Sequence, residues 1–157
     1  MRFWPRLKIW LPAIAWACLI SGLSTDTFSS ENTSGFLLPV LHALFPHASA
    51  ETIELMHAIL RKAAHLAEYF IFSIFVERGL RCGADGEDRG WRLRWAIWAV
   101  AIAAAYGSLD EFHQSFVPSR TASPWDALLD TAGASVAQVV RWLWYLRTTK
   151  GKVPRNR

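Results

Sequence analysis

Apolar residues run through this chain in long blocks that charge interrupts in only a few places. Residues 9–25, 69–76, 95–109 and 131–140 contain no Asp, Glu, Lys or Arg. Extended past the charges that punctuate them, these blocks predict four helices, at residues 7–23, 53–77, 92–109 and 125–146. A short re-entrant or interfacial helix fits around residues 35–45, inside the long connection at 24–52. The expected fold class is all-α, with no sheet. A membrane span needs about 20 predominantly apolar residues, and the first block approaches that unaided. The others must either carry charged residues inside a span or lie within a soluble core.

Composition narrows the choice only partly. At 157 residues the chain is a single domain, residues 1–157. Hydrophobic residues make up 52%, too many for a disordered chain, and two cysteines are too few for a disulfide scaffold. The mean hydropathy of +0.16 is high for a soluble domain and low for a membrane protein.

The placement of charge separates the two. With four spans, the N-terminus, the second connection and the C-terminal tail, together with the span ends that adjoin them, hold fourteen of the seventeen Lys and Arg residues. The connection at 24–52 holds none, and the third holds Arg120 alone. Basic residues gathered on one side mark the cytoplasmic side, so both termini are expected there. Trp4, Trp10, Trp91, Trp125, Trp142 and Trp144 fall near the proposed span ends, where an indole prefers the headgroup level. The basic residues do not form one interleaved face, so a nucleic-acid partner is not expected. The first block is longer than a signal-peptide core and no clean cleavage site follows Leu23, so it reads as an uncleaved span.

The second predicted helix carries residues that a membrane makes costly. At about 100° per residue, with Arg61 as zero, His65 falls near 40°, Glu68 near −20°, Glu54 near 20° and His57 near −40°. Phe72 and Phe75 continue that stripe, while Lys62 and Tyr69 lie off it. A charge at the centre of a span costs about 2.5–3.5 kcal/mol, so the stripe is expected to face the bundle interior. Its expected partners lie at the same outer end: Asp110, Glu111, His113 and Gln114 closing the third helix, Arg120 in the connection, and Asp126 and Asp130 opening the fourth. All of these are expected to meet in one polar cluster near the outer leaflet. The inner side is expected to hold only generic basic residues.

These residues carry a resemblance. Arg61-Lys62-x-x-His65-x-x-Glu68-Tyr69, then Asp110-Glu111-x-His113-Gln114-x-x-x-Pro118-x-Arg120, then Asp126-x-x-x-Asp130-x-x-Gly133, resemble the signature of the VanZ-like membrane protein family. Phe28-Ser29-Ser30 resembles the start of that family's outer loop. The likeness covers about residues 7–146. It implies a small multi-pass protein of the bacterial cytoplasmic membrane, associated through the family's namesake with low-level resistance to the glycopeptide teicoplanin.

Three roles fit the cluster. In the first, Arg61 and Lys62 pair with Glu68, Asp110, Asp126 and Asp130 and hold the helices in register. In the second, Arg61, Lys62 and Arg120, with Tyr69, Gln114, Asp126 and Asp130 around them, bind the anionic headgroup of a membrane lipid or lipid-linked envelope precursor. In the third, His65, Glu68, Asp110, Glu111 and His113 perform acid–base or metal-assisted chemistry on such a lipid. His65, Glu68, Asp110 and His113 would there be the ligands of a divalent metal cofactor. No HExxH, GxSxG or P-loop pattern assigns an enzyme class.

Overall fold

The computed structural model describes residues 3–25, 30–85, 90–116 and 123–150. They form five helices: α1 (Phe3–Leu23), α2 (Ser30–Leu44), α3 (Ala50–Asp85), α4 (Leu93–Gln114) and α5 (Pro124–Lys150). There is no strand among the described residues. The all-α expectation holds, and the four long helices stand where the apolar blocks place them. The 24–52 connection is more helical than expected, because α2 occupies 15 of its residues. The predicted second helix runs on to Asp85, and the predicted third runs on to Gln114.

Side-chain contacts fix the directions. Trp16 Nε1 donates to the Glu68 carbonyl at 2.9 Å, whereas Arg78, two to three turns further along α3, reaches back to the Ile9 carbonyl at 3.3 Å. Thus α1 and α3 are antiparallel. Tyr106 bonds the Ala17 carbonyl and Ser24 bonds Asp110, so α1 and α4 run the same way. His65 faces Asp130, Ser73 bonds Gln138 and Glu77 bonds Arg141, so α3 and α5 also run the same way at a nearly constant offset. The four long helices therefore run up, down, up and down, with α3 packed against all the others. The start of α1, the α3–α4 connection and the end of α5 lie together, which gathers the basic residues at one end of the bundle. The other end carries α2 and is rich in acidic residues.

The interior is built from small residues. Ala96, Ala99, Ala103 and Gly107 make one buried face of α4 at helical spacing, and Ala134 and Ala137 are buried on α5. Ala101 and Ala105, also candidates for close packing by composition, turn outward or toward the flank of that face. Small side chains let helices approach closely where burial alone does not drive them together. Tyr69, Phe72, Val76 and Ile20 fill the remaining core, and Trp16 packs edge-on against Phe75 at 5.9 Å. Many of the large hydrophobic side chains point outward instead, among them Leu11, Ile97, Trp98, Leu109, Leu128, Val139 and Trp144.

The arrangement is inverted relative to a water-soluble bundle: Ser73, Glu77, Arg81, Gln138, Gln114 and Asp130 are buried while these apolar residues are exposed. Among the described residues, no helix is long and apolar enough to cross a membrane. Charged positions interrupt the apolar stretches; α3 alone holds Glu54, Arg61, Lys62, Glu68 and Glu77, of which Glu54 and Lys62 are exposed and Glu77 is buried.

Candidate functional site

At the acidic end a cavity of about 240 Å³ opens between the end of α1, α2 and the first half of α3. Ser24, Thr33, Leu37, Arg61, His65 and Glu68 line it. The stripe is therefore real from Arg61 to Glu68, because residues spaced three and four apart share a face. Its outer continuation is not part of the cavity: Glu54 is exposed and His57 half-buried. Lys62, off the stripe, is exposed. Arg61 is half-buried on the cavity wall and makes no hydrogen bond or ion pair with a described residue.

His65 connects this cavity to the core. Its Nδ1 lies 3.8 Å from Oδ1 of Asp130, whose residue is only 1% exposed. Tyr69, which the helical angle places off the stripe, turns fully inward, and its hydroxyl has no hydrogen-bond partner among the described residues. Gly107 makes room for both. A Cβ there would stand 3.2 Å from Asp130 Oδ2 and 3.3 Å from the Tyr69 ring.

The end of α4 distributes its polar residues around the helix rather than into one cavity. Asp110 and Gln114, one turn apart, face α1. Asp110 accepts from Ser24 Oγ at 2.5 Å and from Gln114 Nε2 at 2.8 Å. Glu111 points about 100° away, where its carboxylate accepts the Ser123 backbone N–H at 2.9 Å and ties α4 to the start of α5. His113 is exposed and lines a separate recess with Asp110, Tyr106 and Ser21. Asp126 is half-buried on the first turn of α5.

The expectation of one shared cluster is thus corrected. Arg61, His65, Glu68 and Asp130 come together, and Glu111 lies on the buried face of α4 one turn beyond Gly107, which packs on Asp130, whereas His113 faces elsewhere, because consecutive positions cannot all share a helical face. Arg120, with Pro118, Phe28 and Ser29, lies outside the described residues. Among the described residues no three His, Cys, Asp or Glu side chains converge in a group that could hold a metal ion. His65 and Glu68 line one cavity, and Asp110 and His113 another.

A second polar cluster lies near the basic end, where only generic basic residues were expected. Glu77 is fully buried and accepts from Arg81 Nε at 3.1 Å and Arg141 Nη2 at 2.9 Å. One turn away, Gln138 Nε2 donates to Ser73 Oγ at 2.9 Å. Arg81 and Arg141 are therefore structural partners of a buried carboxylate as well as part of the basic end. The i,i+4 spacing of Glu77 and Arg81 is the sequence signal for half of this cluster. The other half, Arg141, is 64 residues distant.

The fold and site define an all-helical bundle with an apolar exterior, a polar seam between α3 and α5, and a cavity lined by Arg61, His65 and Glu68 at the acidic end. The chain belongs to the VanZ/LLP1 family, whose model matches residues 9–145. No curated protein and no solved structure matches it.

Proposed function

We propose that this VanZ-type protein spans the bacterial cytoplasmic membrane with α1, α3, α4 and α5, both termini inside. We further propose that its outer cavity binds the anionic headgroup of a lipid or lipid-linked envelope precursor, and through it takes part in resistance to glycopeptides such as teicoplanin. Support for the membrane reading comes from the apolar exterior around a polar interior, and from the basic residues gathered at one end. A polar interior costs least when its groups pair with one another, as Ser73 does with Gln138 and Glu77 with Arg141 between α3 and α5.

The observation that carries the binding reading is Arg61: a half-buried guanidinium on a cavity wall, unpaired with any described acidic residue. A charge so placed is stabilised by an anion, and guanidinium geometry favours phosphate oxygens. The test is mass spectrometry of lipids retained in mild detergent, together with teicoplanin susceptibility of cells expressing each variant. Arg61→Ala is expected to lose the phosphate lipid and any resistance, while exposed Lys62→Ala keeps both. Equal retention by wild type and Arg61→Ala overturns the reading.

A second reading rests on the His65–Asp130 approach. A histidine 3.8 Å from a buried carboxyl group and facing a cavity is placed to accept a proton, so acid–base chemistry on the bound lipid is the alternative. Turnover of a lipid phosphate by wild type, lost in Asp130→Asn with binding retained, distinguishes it.

A further inference from the structure

A recess of about 250 Å³ lies between the ends of α1 and α4, apart from the Arg61 cavity, and Ser21, Tyr106, Leu109, Asp110 and His113 line it. The hydrogen bonds around it run in one direction. The Tyr106 hydroxyl donates its proton to the Ala17 carbonyl at 2.8 Å, so the 2.6 Å contact with Ser21 is a bond that Ser21 donates. With its proton committed, Ser21 Oγ has only lone pairs left to offer. Asp110 receives Ser24 and Gln114 on one oxygen, Oδ2, and its Oδ1 accepts from no described residue. Apart from His113 at the exposed rim, the polar groups of the wall thus turn acceptors to the recess.

The backbone adds charge of the same sign. Helix α1 ends at Leu23 and α4 at Gln114, and the two run the same way, so the negative ends of both dipoles lie beside the recess. Each end is equivalent to about half a negative charge. Asp110 adds a full one, and no described Lys or Arg lines the recess.

We infer that this recess binds a primary ammonium group, which donates to Asp110 Oδ1 and Ser21 Oγ and lays its adjoining carbons against Leu109. An ammonium carries three N–H donors and no acceptor, the complement of this wall. An anion meets acceptors and a negative field here. A divalent metal ion finds one carboxylate and one imidazole, too few for a protein cage. The ammonium belongs either to the headgroup of an aminophospholipid or to a free amine in solution. Only the lipid source rests on the membrane placement proposed above, and neither source rests on the Arg61 cavity.

The test is native mass spectrometry of the full chain in mild detergent, titrated with phosphatidylethanolamine, with phosphatidylcholine of the same acyl chains, or with ethanolamine. The two lipids share a phosphate and a net charge, and only the first has N–H donors. Wild type is expected to retain phosphatidylethanolamine about tenfold more strongly, the effect of one charge-assisted hydrogen bond. Asp110→Asn, close in shape but uncharged, is expected to erase the preference. Ser21→Leu, filling the recess from an exposed position, should do the same. Ser24→Ala breaks the same join between α1 and α4 but keeps the carboxylate, and should keep the preference. Arg61→Ala should keep it too, which separates the recess from the outer cavity. Ethanolamine bound by wild type and not by Asp110→Asn assigns the ammonium to a soluble amine, whereas a lipid preference without it assigns the ammonium to the membrane. Equal retention of the two lipids with no ethanolamine bound, a preference surviving both Asp110→Asn and Ser21→Leu, or one lost equally in Ser24→Ala overturns the inference. Recovery of the chain from cells without detergent would instead overturn the membrane placement.

Discussion

Gly133 of α5 is seated directly on the main chain of Leu66 in α3. A Cβ at Gly133 would overlap the Leu66 carbonyl oxygen and stand 3.1 Å from its Cα. The obstruction is backbone, which cannot rotate away as a side chain can. This contact sets how closely α3 and α5 approach, and therefore whether His65 reaches Asp130 three residues before Gly133.

Gly133→Ala is expected to destabilise the protein by about 1–3 kcal/mol through overpacking, read as a lower thermal midpoint in detergent. Gly22, with nothing within 4 Å of its own Cβ position, is the control. Gly22→Ala should leave the midpoint unchanged or slightly raised. Equal midpoints for the two variants would mean that α3 and α5 are not in this close register.

The buried triad predicts an order of effects. Glu77→Ala removes the buried carboxylate that Arg81 and Arg141 share, and breaking such a pair costs about 3–5 kcal/mol. Arg141→Ala costs less, because its side chain is 24% exposed and Glu77 keeps Arg81. Replacing all three residues by Met recovers most of the loss, since paired burial adds little net stability over an apolar filling. Denaturant unfolding of the three variants checks the order.

Ser24 joins α1 to α4 through Asp110. Ser24→Ala removes that bond and leaves Asp110 with Gln114 alone, at an expected cost of about 1–2 kcal/mol. Ser108→Ala should cost almost nothing, since that exposed hydroxyl only returns to the Ala104 carbonyl of its own helix. Thermal midpoints measured side by side decide whether α1 is held at this end by Ser24.

The two histidines of the signature should behave differently. His65→Ala, in the cavity, is expected to weaken retention of the phosphate lipid by about tenfold, the effect of losing one charge-assisted hydrogen bond. His113→Gln should leave it unchanged, because His113 is exposed beside another recess. A loss of the same size in both variants would place the binding site across α4 instead.

Much of the architecture is legible without coordinates. Apolar block length gives the four long helices, and the absence of Lys and Arg from residues 24–52 gives their alternation. The face that joins Arg61, His65 and Glu68 follows from 100° per residue. Helix ends were less legible: nothing in the pattern stops α3 at 77, because charged residues extend a helix beyond its apolar stretch as readily as they close it.

The sequence by itself determined which residues share a helix face, how many long helices there are, and at which end the basic residues gather. These depend on local periodicity and on the order of charges along the chain. Only the tertiary structure decided that Tyr69 turns inward over Gly107, that His113 leaves the cluster, and that Glu77 binds Arg141. Each of these depends on which face of which neighbour is presented across a helix interface. That is set by close contacts such as Gly133 on Leu66, between residues far apart in the chain, and no periodicity within one helix carries it.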